Sequence, residues 1–190
     1  NNLRTPIPHP NSFYDGYPGV LWARSHILKT AQAVDPVVLA RDLQVEQWVR
    51  RFTNKDSYDF LSGLTGLGLY TLTLSAQPHY KELTLALLEK LATTALNNRD
   101  GLTWSKTRGK HDRRQFELGV GHGVHGVIGY LAILIESKVG DKRAKRILTK
   151  AMNWAQSIDK ARGGKHLPAR FSRSLLSQPE HNRLAWCYGD

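Results

Sequence analysis

The stretch LGVGHGVHGV at residues 118–127 combines four closely spaced glycines with the start of an apolar segment. Its core has the form Gly-x-x-Gly-apolar, and the same form occurs earlier as SGLTGL at residues 62–67 and as DGYPGV at residues 15–20. The first glycines of the three copies lie 47 and then 60 residues apart, and a further 66 residues lead to Gly189. Because such spacings are typical of a unit of two helices and a loop, the sequence predicts a helical repeat with a fourth copy starting near Gly189.

The apolar pattern indicates both helices of this repeat. Segments that start at the glycines, such as residues 63–76 and 123–137, are apolar nearly all round, which predicts buried inner helices. The segments that follow are amphipathic, and two of them come after cap residues, Asp35 with Pro36 and Asp141. Their apolar stripes are Val38, Val45, Trp48, Val49 and Phe52; Leu83, Leu87, Leu88, Leu91 and Ala95; and Ile147, Leu148, Ala151, Trp154, Ala155 and Ile158. We therefore predict an all-α ring or stack of helix pairs, with inner and outer layers and the glycine-rich helix ends on one face.

Composition narrows the class of protein. The chain has 190 residues and is 41% hydrophobic, which is enough to bury a core. Its one cysteine, Cys187, excludes an internal disulfide and fits a reducing compartment. The formal net charge of +11 favours an acidic partner such as nucleic acid, an anionic membrane or an acidic peptide, and much of it lies in two connections, residues 98–117 and 160–183. No apolar run of about 18 residues is present, so no membrane span is predicted.

Four residues next to the glycine motifs are candidates for chemistry. Asp59 precedes the second motif, His122 precedes the third, and Arg183 and Cys187 precede Gly189. If all lie at the same end of successive inner helices, they form an acid/base and metal-binding centre. Other interpretations remain open: Asp59 as a helix N-cap, Cys187 as a small buried hydrophobe, and His122 with His125 either as a metal-binding pair or as structural residues.

Three motifs, in order, resemble those of the lanthionine synthetase C-like (LanC-like) proteins. They are YDFLSGLTG at residues 58–66, LGVGHGVHG at 118–126 and RLAWCYG at 183–189, of which the last is the most specific. The resemblance implies an α/α toroid of seven helix pairs. Residues 1–190 would then be a partial domain of about three and a half repeats, truncated after the first zinc-ligand motif.

The resemblance also implies an activity and a role for each residue. LanC-like cyclases add a cysteine thiol of a peptide to dehydroalanine or dehydrobutyrine in the same peptide, and zinc held by Cys, Cys and His binds that thiol. By position, Cys187 is the first zinc ligand and His122 the general acid/base. Asp59 and Arg183 support His122, and Tyr188 lies beside the metal.

Two departures from the family pattern limit this interpretation. The second zinc-binding cysteine and the zinc-binding histidine belong to a later Cys-His-Gly motif that this sequence lacks. The remaining zinc ligands are therefore expected outside this segment, and the isolated segment is predicted to be inactive. The second departure is His125, which stands where the family usually has a small or apolar residue.

Three functions follow as hypotheses. The first is a cytoplasmic lanthipeptide cyclase, or the cyclase part of a larger synthetase, whose partners are a dehydrated precursor peptide and a dehydratase. The second is a LanC-like protein that adds glutathione to dehydrated residues of proteins. The third is a non-catalytic, basic helical-repeat binding module. A nucleic-acid binder is disfavoured, because the basic residues lack interleaved aromatics and a known binding motif.

Overall fold

The computed structural model describes residues 11–28, 36–53, 56–105, 116–140, 142–163, 169–171 and 185–187. The helices in these ranges are α1 (Tyr17–Leu28), α2 (Pro36–Arg51), α3 (Leu64–Thr73), α4 (Pro78–Thr94), α5 (Val124–Glu136) and α6 (Lys142–Ala161). The strands are β1 (Leu96–Asn98), β2 (Gly101–Thr103), β3 (Phe116–Glu117) and β4 (Arg170–Phe171). Of the helices described, none combines the length and the apolar character needed to cross a membrane.

The predicted repeat is present in the structure. Helices α1, α3 and α5 each begin directly after the first glycine of a copy, namely Gly16, Gly63 and Gly123. Helix α3 packs against α1 on one side and α5 on the other, while α4 packs on α3 and α6 packs on α5. Helix α3 is buried along nearly its whole length, whereas α4 and α6 each bury one apolar face. The all-α prediction of paired inner and outer helices is therefore confirmed.

Some boundaries and two small sheets differ from the sequence prediction. The inner helices are shorter than the predicted 63–76 and 123–137, and α4 ends at Thr94, so Ala95 is its extended C-cap rather than part of the helical stripe. Strands β1 and β2 form an antiparallel hairpin, and β3 pairs antiparallel with β4. Three of these strands lie at least partly in residues 98–117, which were expected to be a connection. Strands of two or three residues are too short to show the period-two alternation that reveals a strand in a sequence.

The Gly-x-x-Gly motif has a packing reason that repeats in the three copies that the structure describes. A Cβ atom on the second glycine would overlap the carbonyl oxygen of the residue six positions earlier; these pairs are Gly19 with Phe13, Gly66 with Phe60, and Gly126 with Val120. The first glycine is equally restricted at Gly63 and Gly123. The loop before each inner helix thus folds back over the first helical turn. Only a residue without a side chain leaves room for that close approach.

The hairpin is held against the outer layer by another glycine. Gly101 adopts a φ of +143°, a conformation that residues with side chains rarely adopt. A Cβ there would also overlap the Lys150 carbonyl oxygen and lie 2.9 Å from the Trp154 nitrogen. The β1–β2 hairpin therefore packs directly on α6, and Trp104, which follows β2, is buried and donates its Nε1–H to the Leu91 carbonyl at 2.9 Å.

Candidate active site

The loops that precede the inner helices lie side by side. We call them the rim loops: residues 12–16, 59–63 and 119–123, together with 185–187 of the last motif. Backbone hydrogen bonds join each loop to the next, from Tyr14 N–H to the Leu61 carbonyl (2.9 Å), from Leu61 N–H to the Gly121 carbonyl (3.2 Å) and from His122 N–H to the Cys187 carbonyl (3.2 Å). In the three complete loops, the residues at the Tyr14, Leu61 and Gly121 positions each stand two places before the first glycine. The motifs are therefore gathered on one face in chain order, as the repeat predicts.

This arrangement brings two predicted site residues into contact. His122 Nδ1 lies 2.9 Å from Asp59 Oδ2, although the two residues are 63 positions apart in the chain. The Asp59 side chain is fully buried, and that of His122 is 21% exposed. An ionised carboxylate can only accept hydrogen bonds, so Nδ1 carries the proton in this pair. In this tautomer Nε2 is the ring nitrogen that can accept a proton.

The other carboxylate oxygen of Asp59 binds its own loop. Asp59 Oδ1 accepts hydrogen bonds from Ser62 N–H at 2.7 Å and from Ser62 Oγ at 3.1 Å. The N-cap of α3 is Gly63, which makes no side-chain capping hydrogen bond. The interpretation of Asp59 as a helix N-cap is therefore wrong. Its carboxylate instead links its own loop to the imidazole of the next loop.

Cys187 lies in the loop next to His122. Its thiol is free and partly exposed, so it is not the fully buried small hydrophobe of the alternative interpretation. Besides the His122 contact, Val120 N–H donates to the Trp186 carbonyl at 2.9 Å. A Cβ on Gly121 would come within 2.8 Å of the Cys187 Cβ. The third and fourth rim loops are thus in close backbone contact, which places Cys187 in the loop next to His122.

The described residues do not by themselves complete a metal site. Across the described ranges, no group of three or more His, Cys, Asp and Glu side chains is placed to hold a metal ion. His125 uses Nδ1 to bond the Leu118 carbonyl, while His122 uses Nδ1 to bond Asp59, so both rings have a hydrogen-bonding role within the fold. Zinc sites need three or four protein ligands, and Cys187 supplies at most one.

Two predicted site residues, Arg183 and Tyr188, lie outside the described residues, and their roles stay predictions. The structure adds Ser62, whose two contacts hold the Asp59 carboxylate. The Asp59-x-x-Ser62 spacing is a sequence signal for such a contact, since an aspartate at a turn often accepts hydrogen bonds from backbone a few residues ahead. Tyr58 is also at the site: burial raises its pKa above the ordinary value, and the negative charges of Glu117 and Asp59 raise it further.

Comparisons with known proteins assign this chain to a family and a fold. A family model described as "Lanthionine synthetase C-like protein" matches residues 2–190. The chain belongs to the lanthionine synthetase C-like family. Among curated proteins, no sequence matches this LanC-like chain.

A solved structure of a nisin cyclase is similar to this LanC-like chain in fold. The TM-score is 0.70 at 19% sequence identity, and the match covers 94% of this chain and 50% of the cyclase chain. At this identity the likeness establishes the fold, and it confirms the α/α toroid prediction. The LanC-like chain spans half the length of that cyclase.

Proposed function

We propose that this LanC-like chain is part of a lanthipeptide cyclase-type enzyme. Its substrate is a dehydrated precursor peptide, and its product is a lanthionine or methyllanthionine thioether ring. One observation carries the proposal: a buried carboxylate, Asp59, holds the imidazole of His122 at the rim, and the thiol-bearing loop of Cys187 is bonded to the His122 backbone. The family membership supports the same reaction.

The reaction needs proton transfer at two atoms. The cysteine sulfur of the peptide loses its proton and forms a bond to the β-carbon of dehydroalanine or dehydrobutyrine. The π electrons of the carbon–carbon double bond are then shared between the α-carbon and the neighbouring carbonyl oxygen, which together form an enolate. A proton is finally added to the α-carbon of this enolate. A histidine suits these steps, because its ordinary pKa allows it to accept and deliver a proton near neutral pH. We assign this role to Nε2 of His122.

Asp59 positions that imidazole. Its hydrogen bond fixes the ring orientation and the tautomer, and its negative charge stabilises the imidazolium that forms when His122 accepts a proton. Because Asp59 is fully buried, water does not compete for this contact. Asp59 is thus a positioning residue, and Ser62 holds it in turn.

Zinc, if bound beside this pair, would lower the pKa of the substrate thiol so that a thiolate is present at neutral pH. Cys187 would be one ligand, and the others would come from outside the described residues. Arg183 and Tyr188 are assigned to the same centre by resemblance, as a polar partner of His122 and as a neighbour of the metal. A cytoplasmic location and a dehydratase partner belong to this proposal as well.

The test of activity counts free thiols, since cyclisation leaves the peptide mass unchanged. The full-length gene product is incubated with zinc and a peptide that contains one cysteine and one dehydroalanine, and the remaining thiol is alkylated and detected by mass spectrometry. We expect the thiol to disappear with the wild-type protein and to persist with His122→Asn. His79→Asn, which changes an exposed histidine of α4, is the matched control and should cyclise normally. Residues 1–190 alone should be inactive.

Two results would contradict the proposal. One is equal cyclisation by the wild type and His122→Asn. The other is an unchanged peptide thiol together with addition of supplied glutathione to the dehydroalanine, which would establish the glutathione-adding function instead.

A separate measurement tests Cys187: Cys187→Ala should lower the zinc content of the full-length protein, and an unchanged zinc stoichiometry would remove Cys187 from the metal site.

A further inference from the structure

Positive charge is concentrated in the N-terminal half of the outer helix α6. Residues 142–150 contain five basic and no acidic side chains. Residues 151–161 of the same helix contain one acidic side chain, Asp159, and one basic side chain, Lys160. The other fully described outer helix, α4, is balanced, with Lys81 and Lys90 against Glu82 and Glu89. Between these two outer helices, the excess of positive charge is therefore confined to the N-terminal half of α6.

Four of the five cations face solvent. Helix α6 buries its apolar face, which consists of Ala144, Ile147, Ala151, Trp154, Ala155 and Ile158. The exposed side carries the cations that we call the α6 cationic stripe: Lys142, Lys145, Arg146 and Lys150. Arg143 differs from them, because its Nη2 donates to Glu89 Oε1 of α4 at 2.9 Å and so joins two outer helices. Within the described part of the chain, no acidic side chain forms an ion pair with the stripe.

The first two cations of the stripe, Lys142 and Lys145, lie in the first turn of α6, where helix electrostatics disfavour them. Cations stabilise a helix near its C-terminus and destabilise it near the N-terminus, where the backbone N–H groups carry partial positive charge. Lys142, Arg146 and Lys150 also follow each other at intervals of four residues, so like charges are neighbours on one face. This arrangement is electrostatically unfavourable for the helix on its own. A negatively charged partner would compensate it.

The spacing of the stripe distinguishes among acidic partners. Residues four apart on a helix are separated by about 6 Å along the axis. Side chains on the same side of an extended peptide repeat every two residues, or about 6.7 Å. Proteins that bind single-stranded nucleic acid combine basic side chains with aromatic ones on which bases stack, and residues 142–150 contain no aromatic side chain. Membrane binding by an amphipathic helix needs exposed apolar side chains, and the one large apolar side chain exposed on α6 is Met152, at 42%.

We propose that the α6 cationic stripe binds an extended acidic polypeptide segment. The segment lies along the outer surface of α6, with carboxylates at alternate residues opposite Lys142, Arg146 and Lys150. Lys145 adds a further positive charge beside this line. The proposal concerns the outer face of the helix layer, and it does not depend on the reaction proposed for the rim.

The test uses the full-length protein and a labelled peptide of alternating glutamate and serine, with binding followed by fluorescence anisotropy at low ionic strength. The stripe variant Lys142→Glu/Arg146→Glu/Lys150→Glu should bind the peptide about tenfold or more weakly than the wild type. The matched control, Lys81→Glu/Arg99→Glu/Lys160→Glu, changes the net charge equally at exposed positions elsewhere and should retain binding. Added salt should weaken the wild-type complex.

Loss of folding is separated from loss of binding by thermal melting. The stripe variant exchanges one set of like charges at four-residue intervals for another, but it adds an acidic residue to the first turn of α6 and opposite charges three residues apart at positions 142/145 and 143/146. Its melting temperature should therefore equal or exceed that of the wild type. Equal peptide binding by the stripe variant and the control variant would overturn the proposal. Stripe-dependent binding of phosphatidylserine vesicles or of an oligonucleotide, without binding of the peptide, would also overturn it and would identify a different partner.

Discussion

The second and third rim loops have the same backbone and different side chains. Each folds back over the first turn of its inner helix, and each depends on two glycines at the same positions. The second loop carries a carboxylate four places before its first glycine, at Asp59, whereas the third carries an imidazole one place before its first glycine, at His122. Because the two loops are hydrogen-bonded side by side, the groups meet at 2.9 Å. The paired glycines thus set a loop backbone that repeats, which we call the frame. The candidate chemistry depends on Asp59 and His122, which occur once each and not at equivalent positions.

The largest expected effect comes from breaking the frame. Gly126→Ala and Gly66→Ala each place a methyl group against a backbone carbonyl, at Val120 and Phe60, which cannot move without shifting the whole loop. We expect each substitution to lower the free energy of unfolding by about 3 kcal/mol or more, at the upper end of overpacking effects. Urea denaturation measures this change.

Gly129 is the matched control in the same helix as Gly126. Apart from its chain neighbours and the backbone of its own helix, a Cβ at Gly129 would meet no atom within 4 Å. Gly129→Ala should therefore raise the free energy of unfolding by up to about 1 kcal/mol, the difference in helix propensity between the two residues. If Gly126→Ala and Gly129→Ala changed stability in the same direction, the packing explanation of the motif would be wrong.

The next largest effect comes from changing the chemistry while keeping the frame. Asp59→Asn preserves the shape of the side chain but removes the charge that His122 and Ser62 contact. Loss of charge-assisted hydrogen bonds in a buried position should cost about 1.5–3 kcal/mol of stability. The cyclisation rate of the full-length protein should fall by a much larger factor than the fraction of folded protein does. Cyclisation at the wild-type rate, in a folded variant, would show that Asp59 does not position His122.

A smaller effect is expected at Ser62, which supports Asp59 within its own loop. Ser62→Ala removes the Oγ contact at 3.1 Å and leaves the backbone contact at 2.7 Å in place. The cost should be about 1 kcal/mol, the usual net value of one hydrogen bond, and it is measured by thermal melting. In the Asp59→Asn background the same substitution should cost less, since the charged acceptor is already lost. Strict additivity of the two changes would mean that the residues are not coupled.

The sequence predicted the parts of the molecule that depend on local pattern. Glycine spacing and apolar stripes predict α3 to α6 because helix packing leaves a regular trace in each segment. The His122–Asp59 contact could be located only to the same end of neighbouring helices, because its distance depends on hydrogen bonds between loops far apart in the chain. The contacts of Ser62 with Asp59 and of His125 with Leu118 are local, over three and seven residues, and the Asp59-x-x-Ser62 spacing is a sequence signal for the first of them. Strands as short as β3 and β4 form because each pairs with the other, and their two residues alone carry no pattern that predicts a strand.

Each of these two repeats also buries a tyrosine. Tyr58 precedes the second rim loop, and Tyr130 lies in α5, which follows the third rim loop. Neither hydroxyl has a hydrogen-bond partner in the described part of the structure. Burial raises the pKa of both side chains above the ordinary value, and the charges of Glu117 and Asp59 add to the effect only at Tyr58.

The expected effect of these tyrosines at neutral pH is the smallest of those considered. Below pH of about 10 both the folded and the unfolded chain keep the phenol protons. Above it the unfolded chain loses them while the folded chain retains them, so stability falls as pH rises. Tyr130→Phe should be nearly neutral at pH 7, since its hydroxyl is buried without a partner, and should shift alkaline unfolding to higher pH. Tyr58→Phe should do the same, and tyrosinate absorbance measures both. Ionisation of either tyrosine before unfolding would contradict the assignment.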